Sequence, residues 1–402
     1  MTRLFPPDDH CVDSIHAQLE HISAIKAGTP FAGLCQHLTR EQISTMVETA
    51  FWAGLRSNEG QTTRVRLALA PPEHVPGAII FLHPAAYDEA EIAKLSSAVP
   101  PNGCLGVNVV KEQLQIWGLL DRSRVGFDTV MVEASEPGIV RVDVGPYRPY
   151  AVLDGRSNQI LAATGTDLAH HLRRKLQKSL PTEDFIETQA VWRECLALVD
   201  LVRSILADGN GGAVLIVPSD AGKWAKSLNP FAYRFTVADG RIHDIIRKEL
   251  GEAVVPGKLW EELHQASISD DLKNRVVSAL GRSTSGSGRP AAIAAIAPFA
   301  GVDGAIVVTR ALELLGFGAK IEIKRAFKGP LVRFQALAGE QPVVYSQLED
   351  LGGTRHQSAA RFVEAHKDAL AIVVSQDRHV SVMHWEPDLP AVSVIRGAEW
   401  WL

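Results

Sequence analysis

The stretch Asp208-Gly209-Asn210-Gly211-Gly212-Ala213-Val214-Leu215-Ile216-Val217-Pro218 decides the fold class. Its first five residues are a turn and helix C-cap signal, because glycine and asparagine tolerate the left-handed backbone that ends a helix. The residues from Ala213 to Val217 are apolar without a break and rich in β-branched side chains. That pattern belongs to a strand covered on both faces. Upstream, residues 184–207 place Phe185, Ala190, Leu196, Val199, Leu201, Val202 and Leu206 on a mostly apolar helical face. A helix delivered through a tight turn into a doubly covered strand is a unit of an α/β layered fold.

Working towards the C-terminus, the pattern predicts helices over 259–280, 291–300 and 358–366 and strands over Ala305–Thr309, 319–323, 369–374 and 380–383. Residues 281–290, Gly-Arg-Ser-Thr-Ser-Gly-Ser-Gly-Arg-Pro, have the composition of a flexible loop. This alternation predicts one α/β domain over 185–402, a mixed central sheet flanked by helices. Towards the N-terminus, Thr39 and Gln42 form a capping-box pattern before Ile43, Met46, Val47, Ala50 and Phe51, which recur at helical spacing. Short strands are expected over Val65–Leu69, 78–82, 105–110, 114–119, 129–132 and Ile139–Val144, with a helix over 88–95 among them. A hairpin over 150–160 turns at Asp154-Gly155. Residues 1–165 therefore read as an α+β module of unknown role, and 166–184 as a connector.

Bulk properties narrow the function. With 402 residues, 46% of them hydrophobic and 22% charged, the chain has the composition of a globular protein with a large core. A net charge of -5 argues against a duplex nucleic-acid binder. The longest apolar run, over 291–300, contains Pro298 and is too short to span a bilayer. Met1–His10 holds no apolar signal-peptide run, and Cys11, Cys35, Cys104 and Cys195 are too scattered for a zinc site or a disulfide scaffold. The expectation is a cytoplasmic protein with no membrane partner.

Three motifs carry candidate chemistry. Asp303-Gly304-Ala305 puts a carboxylate at a strand edge, where it could hold Mg²⁺ or Mn²⁺. An isolated Asp-Gly pair is also an ordinary turn. Gly352-Gly353-Thr354-Arg355-His356 precedes a helix, and backbone N–H groups, a hydroxyl and a guanidinium there make a phosphate cradle. Gly211-Gly212-Ala213 by itself is the start of a core strand. Three features carry less. Asp9, His10, Cys11 and His16 lack matching metal partners, and the basic stretch from His170-His171 to Lys178 reads as a solvated helix face. Trp400-Trp401 reads as packing onto its own domain.

Taken in order, Gly212–Ile216, Asp303–Ala305, Gly353–Gln357 and Val373-Val374-Ser375 resemble the motifs of the diadenylate cyclase domain. Leu315–Ala319 and Ser358–Phe362 resemble a divergent branch of it, in which a separate N-terminal module with a proposed sensor role comes first. The resemblance covers roughly 185–400. It implies ATP or a related adenine nucleotide as ligand, Mg²⁺ or Mn²⁺ as cofactor, and a homo-oligomer in which two protomers join two ATP molecules into cyclic di-AMP. It implies catalytic roles for Asp303, Arg355 and His356, with Asp303 binding the metal. It implies nucleotide contacts from Gly212, Ala213, Gly304, Ala305, Gly353, Thr354, Gln357 and Ser375. The chain departs from the pattern at Val302, where many members have histidine. It departs again at Gln357 in place of a second arginine, at Gln376 in place of a frequent glutamate, and in the length between Asp303 and Arg355. The competing expectation is a nucleotide-sensing module derived from such a cyclase.

Overall fold

The computed structural model describes residues 38–250 and 288–402, except 59–60, 76, 101–102, 126–128, 145–148, 155–158, 162–167, 178–184, 220–221 and 337–343, together with single helical residues between 9 and 20. The helix expected over 259–280 and the loop up to 287 lie outside the described residues. The described residues form two compact units, one before residue 166 and one after it. Each contains a mixed sheet and helices.

In the first unit, α1 (Arg40–Gly54) opens with the expected capping box, Gln42 N–H donating to Thr39 Oγ1 at 3.2 Å and Thr39 N–H to Gln42 Oε1 at 3.0 Å. Its buried stripe of Ile43, Met46, Val47, Ala50 and Phe51 packs on the sheet residues Val65, Leu67, Leu105, Val107 and Val132. A two-residue ladder, β1 (Ser57–Asn58) with β2 (Gln61–Thr62), follows. The sheet proper consists of β3 (Val65–Leu69), β4 (Ile79–Ala86), β5 (Gly103–Val110), β6 (Gln113–Asp121), β7 (Val130–Glu136), β8 (Ile139–Val144), β9 (Pro149–Asp154) and β10 (Gln159–Leu161). Their spatial order is β10-β9-β8-β7-β3-β5-β6-β4. β3 and β5 are parallel, and the other neighbouring pairs are antiparallel. α2 (Glu89–Ser96) is capped by Asp88, whose carboxylate accepts from the N–H groups of Ala90 and Glu91. The expected hairpin is present, but the β9–β10 pair sets Asp154 opposite Gln159, so Asp154 is a paired strand residue, and residues 155–158 between them lie outside the described residues.

The second unit begins with α3 (Leu168–Gln177) and α4 (Phe185–Asp208), then β11 (Gly212–Val217), β12 (Leu228–Asp239) and α5 (241–250). It continues with α6 (Gly288–Ile296), β13 (Ala305–Thr309), β14 (Leu314–Ile321), β15 (Leu331–Gln335) and β16 (Val344–Ser346). It closes with α7 (Thr354–Ala365), β17 (Leu370–Val374), β18 (Val380–Glu386) and β19 (Ala391–Arg396). The strand order is β12-β14-β13-β11-β17-β18-β19-β15-β16, with β11–β13 and β15–β19 parallel. β11 is central and buried at every residue, as its unbroken apolar run predicts. Ala213, Leu215, Val307, Ala371 and Val373 join Ala359, Ala360, Phe362 and Val363 of α7 in one core cluster.

Three expectations need correction. α6 starts at Gly288, inside the stretch expected to be loop, and gives way to a 3₁₀ turn over Ala297–Gly301. The strand expected over 319–323 is the end of the longer β14. The basic stretch from His170 is not a solvated face, because α3 buries Leu168, Ala169, His171, Leu172 and Leu176. Its periodic leucines face inward, and among its charges Arg174 is exposed while Lys175 pairs with Glu386 at 2.5 Å and Arg173 lies over the Trp192 ring. Trp401 packs as expected, its indole N–H donating to Ala336 O at 3.0 Å.

His171 makes a pH prediction. Its ring lies 5.1 Å from that of His384 and 5.5 Å from Trp401, and its Nε2 is buried with no hydrogen-bond partner among the described residues. Burial first, then His384, Lys175 and Arg174, hold its pKa well below the ordinary 6.5, against a smaller opposing pull from Glu386. The unfolded chain then binds a proton that the folded one refuses. Stability is full above pH 6.5 and falls as the pH drops beneath it. Urea midpoints measured across that window should decline for wild type and decline less for His171→Leu. An equal decline would remove His171 from the effect.

Candidate functional site

The strand register gathers the scattered motifs at one end of the second sheet. β11 and β13 run parallel with Val214 opposite Ile306, so Gly212 and Gly304 begin neighbouring strands side by side. β17 is antiparallel to β11 and sets its last residue, Val374, opposite Gly212. Ser381, near the start of β18, lies opposite both Val373 of β17 and Arg396 at the end of β19.

Two glycines make that end close-packed. Gly304 has φ of 124°, and a Cβ there would stand 2.5 Å from the carbonyl carbon of Gly318 and 2.8 Å from Ala319 N. Gly211 has φ of 65°, and a Cβ there would stand 2.9 Å from Val374 O and 3.1 Å from the carbonyl carbon of Ser375. The β11 turn and the Ser375 turn therefore press against each other through backbone alone.

α7 reaches the same end by two ties. Arg396 Nη2 donates to Leu351 O, and His356 Nε2 lies 3.3 Å from Ser381 Oγ. Gly352, at φ of 87°, turns the chain into the helix. Gly353 occupies the N-cap with no side-chain cap, and Gly353 and Thr354 are exposed. The helix thus starts at the exposed Thr354, with the positive end of its dipole towards solvent, while the His356 and Gln357 N–H groups donate to Gly353 O.

The charges follow from this placement. Asp303 is exposed and pairs with Lys320, Oδ2 to Nζ 2.7 Å. The Lys320 hydrogen bond and charge, with a smaller pull from Arg355, hold the Asp303 carboxyl below the usual range, so it is ionised at neutral pH. Asp303 and Arg355 are remote in sequence, and the Arg355 charge is the smallest of the influences that reach the Asp303 carboxyl. Burial, and then Arg396, lower the His356 pKa and favour a neutral imidazole.

The remaining site residues divide by what they touch. Gln357 Nε2 donates to Gly352 O at 2.9 Å and braces the loop before the helix. Ser375 Oγ accepts from the N–H of His379 at 3.1 Å and closes the β17–β18 turn. The side chains of Ala213 and Ala305 are buried in the core beneath α7, leaving them only backbone to offer a ligand. Lys320, Ser381 and Arg396 escaped the sequence reading. Lys320 is a lone lysine at a strand end, and only the β13–β14 pairing brings it to Asp303. At the N-terminus, Asp9 pairs with Arg40 at 2.8 Å, while His10 and Cys11 lie outside the described residues. Among the described residues no group of three or more His, Cys, Asp or Glu could hold a metal, and no helix is long and apolar enough to cross a membrane.

Comparison with known proteins adds one finding in the first unit. Residues 36–121, which run from the approach to α1 through β6, match the family model described as "Probable sensor domain DACNV". No curated protein and no solved structure matches the chain. The chain thus carries, ahead of the unit that holds Asp303 and Arg355, a segment similar to that sensor-domain family.

Proposed function

We propose that the second unit binds ATP and that two copies, meeting face to face, condense two ATP molecules into cyclic di-AMP under the control of the first unit. The geometry that carries this reading is the strand register and the His356–Ser381 tie, which bring the turn bearing Asp303 and the first turn of α7 to one end of the second sheet. In the reaction each ATP 3′-hydroxyl attacks the α-phosphorus of the other. A new P–O bond forms, the α–β phosphoanhydride bond breaks, pyrophosphate leaves and the hydroxyl proton passes to solvent. Arg355 and the α7 N–H groups would hold phosphate oxygens and stabilise the charge that develops on them. Neutral His356, oriented by Ser381, would donate a hydrogen bond there.

Mg²⁺ is commonly held by one or two carboxylates plus substrate phosphates. Asp303, a single exposed and ionised carboxylate, fits that arrangement. A cation held there would lower the pKa of the attacking hydroxyl. This chain's own part is to keep Asp303 ionised, with Lys320 holding the carboxylate in the meantime. Sensing by the first unit rests on its match to the sensor-domain family. A location in the cytoplasm, where ATP is abundant, belongs to the same reading.

One observation favours the second reading, a nucleotide sensor that does not turn over. Gln357 spends its amide on Gly352 O and offers no charge to a phosphate. Purified protein given ATP with Mg²⁺ or Mn²⁺ and analysed by mass spectrometry should yield cyclic di-AMP and pyrophosphate. Gln357→Arg should raise the rate or lower KM, since a charge-assisted phosphate contact contributes about 1.5–3 kcal/mol. If wild type is inactive and Gln357→Arg gains turnover, the natural chain is a sensor on a competent scaffold. No product from either variant, in a dimeric protein that binds nucleotide, would leave only binding.

A further inference from the structure

The edge strand β12 carries an aromatic stack beside Asp303. Tyr233 stacks on Phe317 with centroids 4.7 Å apart and planes 24° apart, and Phe317 stacks on Phe299 at 4.2 Å and 10°. Phe235 meets the edge of Phe317 at 6.2 Å. Tyr233, at 53% exposed, ends the column, and Phe299 and Phe317 are half-buried beneath it. A soluble surface gains little from displaying an ordered pile of rings, and stacked aromatics are a common platform for flat ligands.

The column's position argues for its occupant. Phe299 precedes Asp303 by four residues, and Phe317 precedes Lys320 by three. Gly318 lies between the two features. Its backbone is what a Cβ on Gly304 would strike, and a Cβ on Gly318 itself would stand 3.0 Å from the Tyr233 ring. Glycine at 318, with φ of 67°, lets the ring lie this close to the backbone of β14, the strand paired with β13 after Asp303. A flat ring system resting on Tyr233 would sit against β14, the strand that carries Lys320, whose ammonium pairs with Asp303 at 2.7 Å; an ammonium and a carboxylate there suit phosphate and a bound cation.

We infer that Tyr233, carried on Phe317 and Phe299, is the platform on which the nucleobase stacks while the phosphates of the same nucleotide reach Lys320 and Arg355. This rests on the nucleotide-binding reading above and adds to it a base subsite. A ring platform also sets the form of specificity. Every base has a π-face, and purines cover more of a tyrosine than pyrimidines do.

Calorimetry on the full chain tests this with ATP, CTP and inorganic triphosphate as probes. Wild type should bind ATP more tightly than CTP, and CTP more tightly than triphosphate. Tyr233→Ala should weaken ATP about tenfold, the scale of one base–aromatic stack, and leave triphosphate unchanged. Tyr233→Phe should bind ATP as wild type does. The subsite is overturned if Tyr233→Ala keeps wild-type affinity for ATP, or weakens ATP and triphosphate alike. It is overturned also if Tyr233→Phe loses as much as Ala, or if Tyr233→Ala only shifts sedimentation from dimer to monomer, which would make β12 an edge between copies. If wild type binds neither ATP nor triphosphate, the nucleotide reading falls with it. If wild type binds ATP and the alanine variant binds equally well, only the platform falls.

Discussion

Asp303→Asn should cut pyrophosphate release from ATP by about 10²–10³-fold, the scale seen when one preorganised electrostatic group at a reacting centre is removed. The substitution nearly preserves shape and deletes the charge that a hard cation needs. It also frees Lys320, whose ammonium is 2.7 Å from the carboxylate. Folding should be little affected, because both side chains are exposed and such pairs contribute little to stability. The diagnostic readout is the metal titration. Wild-type activity should rise steeply with Mg²⁺ or Mn²⁺, and nucleotide binding without metal should be similar in the two proteins. A variant with the same metal dependence as wild type would remove Asp303 from cation binding.

The second large effect is structural and falls on the neighbouring residue. Gly304→Ala should destabilise the second unit by about 2–6 kcal/mol, combining backbone strain of about 1–3 kcal/mol with overpacking of about 1–3 kcal/mol. The strain arises because φ is 124°, and the overpacking because the added methyl would meet Gly318 and Ala319 backbone at 2.5–2.9 Å. Those atoms belong to β14 and cannot swing aside like a side-chain tip. Losses of that size are a large fraction of the roughly 5–15 kcal/mol that holds a domain together. Gly353→Ala is the control, since φ there is −60° and nothing lies within 4 Å of the added carbon. Its cost should stay within about 1 kcal/mol, the gap between glycine and alanine at an N-cap. Thermal or urea unfolding of both variants measures the contrast. Equal stability of the two would mean that the β13–β14 contact yields where backbone should be rigid.

The two glycines look alike in the sequence, each within a short motif of chemical interest. Only the neighbouring strand tells them apart. The same holds for much of the site. The Asp303 turn and the Gly353 start of α7 were legible as local patterns, because an acid on a turn and a glycine before a helix act over a few residues. Their approach to each other followed only from the resemblance and not from any local pattern, because it depends on β11–β13 pairing in parallel and β17 returning antiparallel. Lys320 and Ser381 carry no local signature at all. Gln357 stands in the sequence as a missing charge, and its hydrogen bond to Gly352 O exists only in the folded chain.

β12 is a different kind of omission. Phe231, Tyr233, Phe235 and Val237 alternate at period two, the signal of a strand, so the sequence held the evidence. The strand lies at the sheet edge with most residues exposed, contrary to what its aromatics suggest.

By itself, then, the sequence determined the elements whose cause is local. The capping box at Thr39 and Gln42 starts α1, the apolar run 213–217 makes a doubly covered strand, and the helical spacing before Gly209 gives α4. Each is set by backbone preference or by side-chain period, and both act within a few turns of chain. The tertiary structure alone decided the order of nine strands, the burial of His171 on the inner face of the basic helix α3, the pairing of Asp303 with Lys320, and the aromatic column of Tyr233, Phe317 and Phe299. Those depend on which strands pair and in what register, and register is fixed by burying whole faces at once, a condition that no single segment contains.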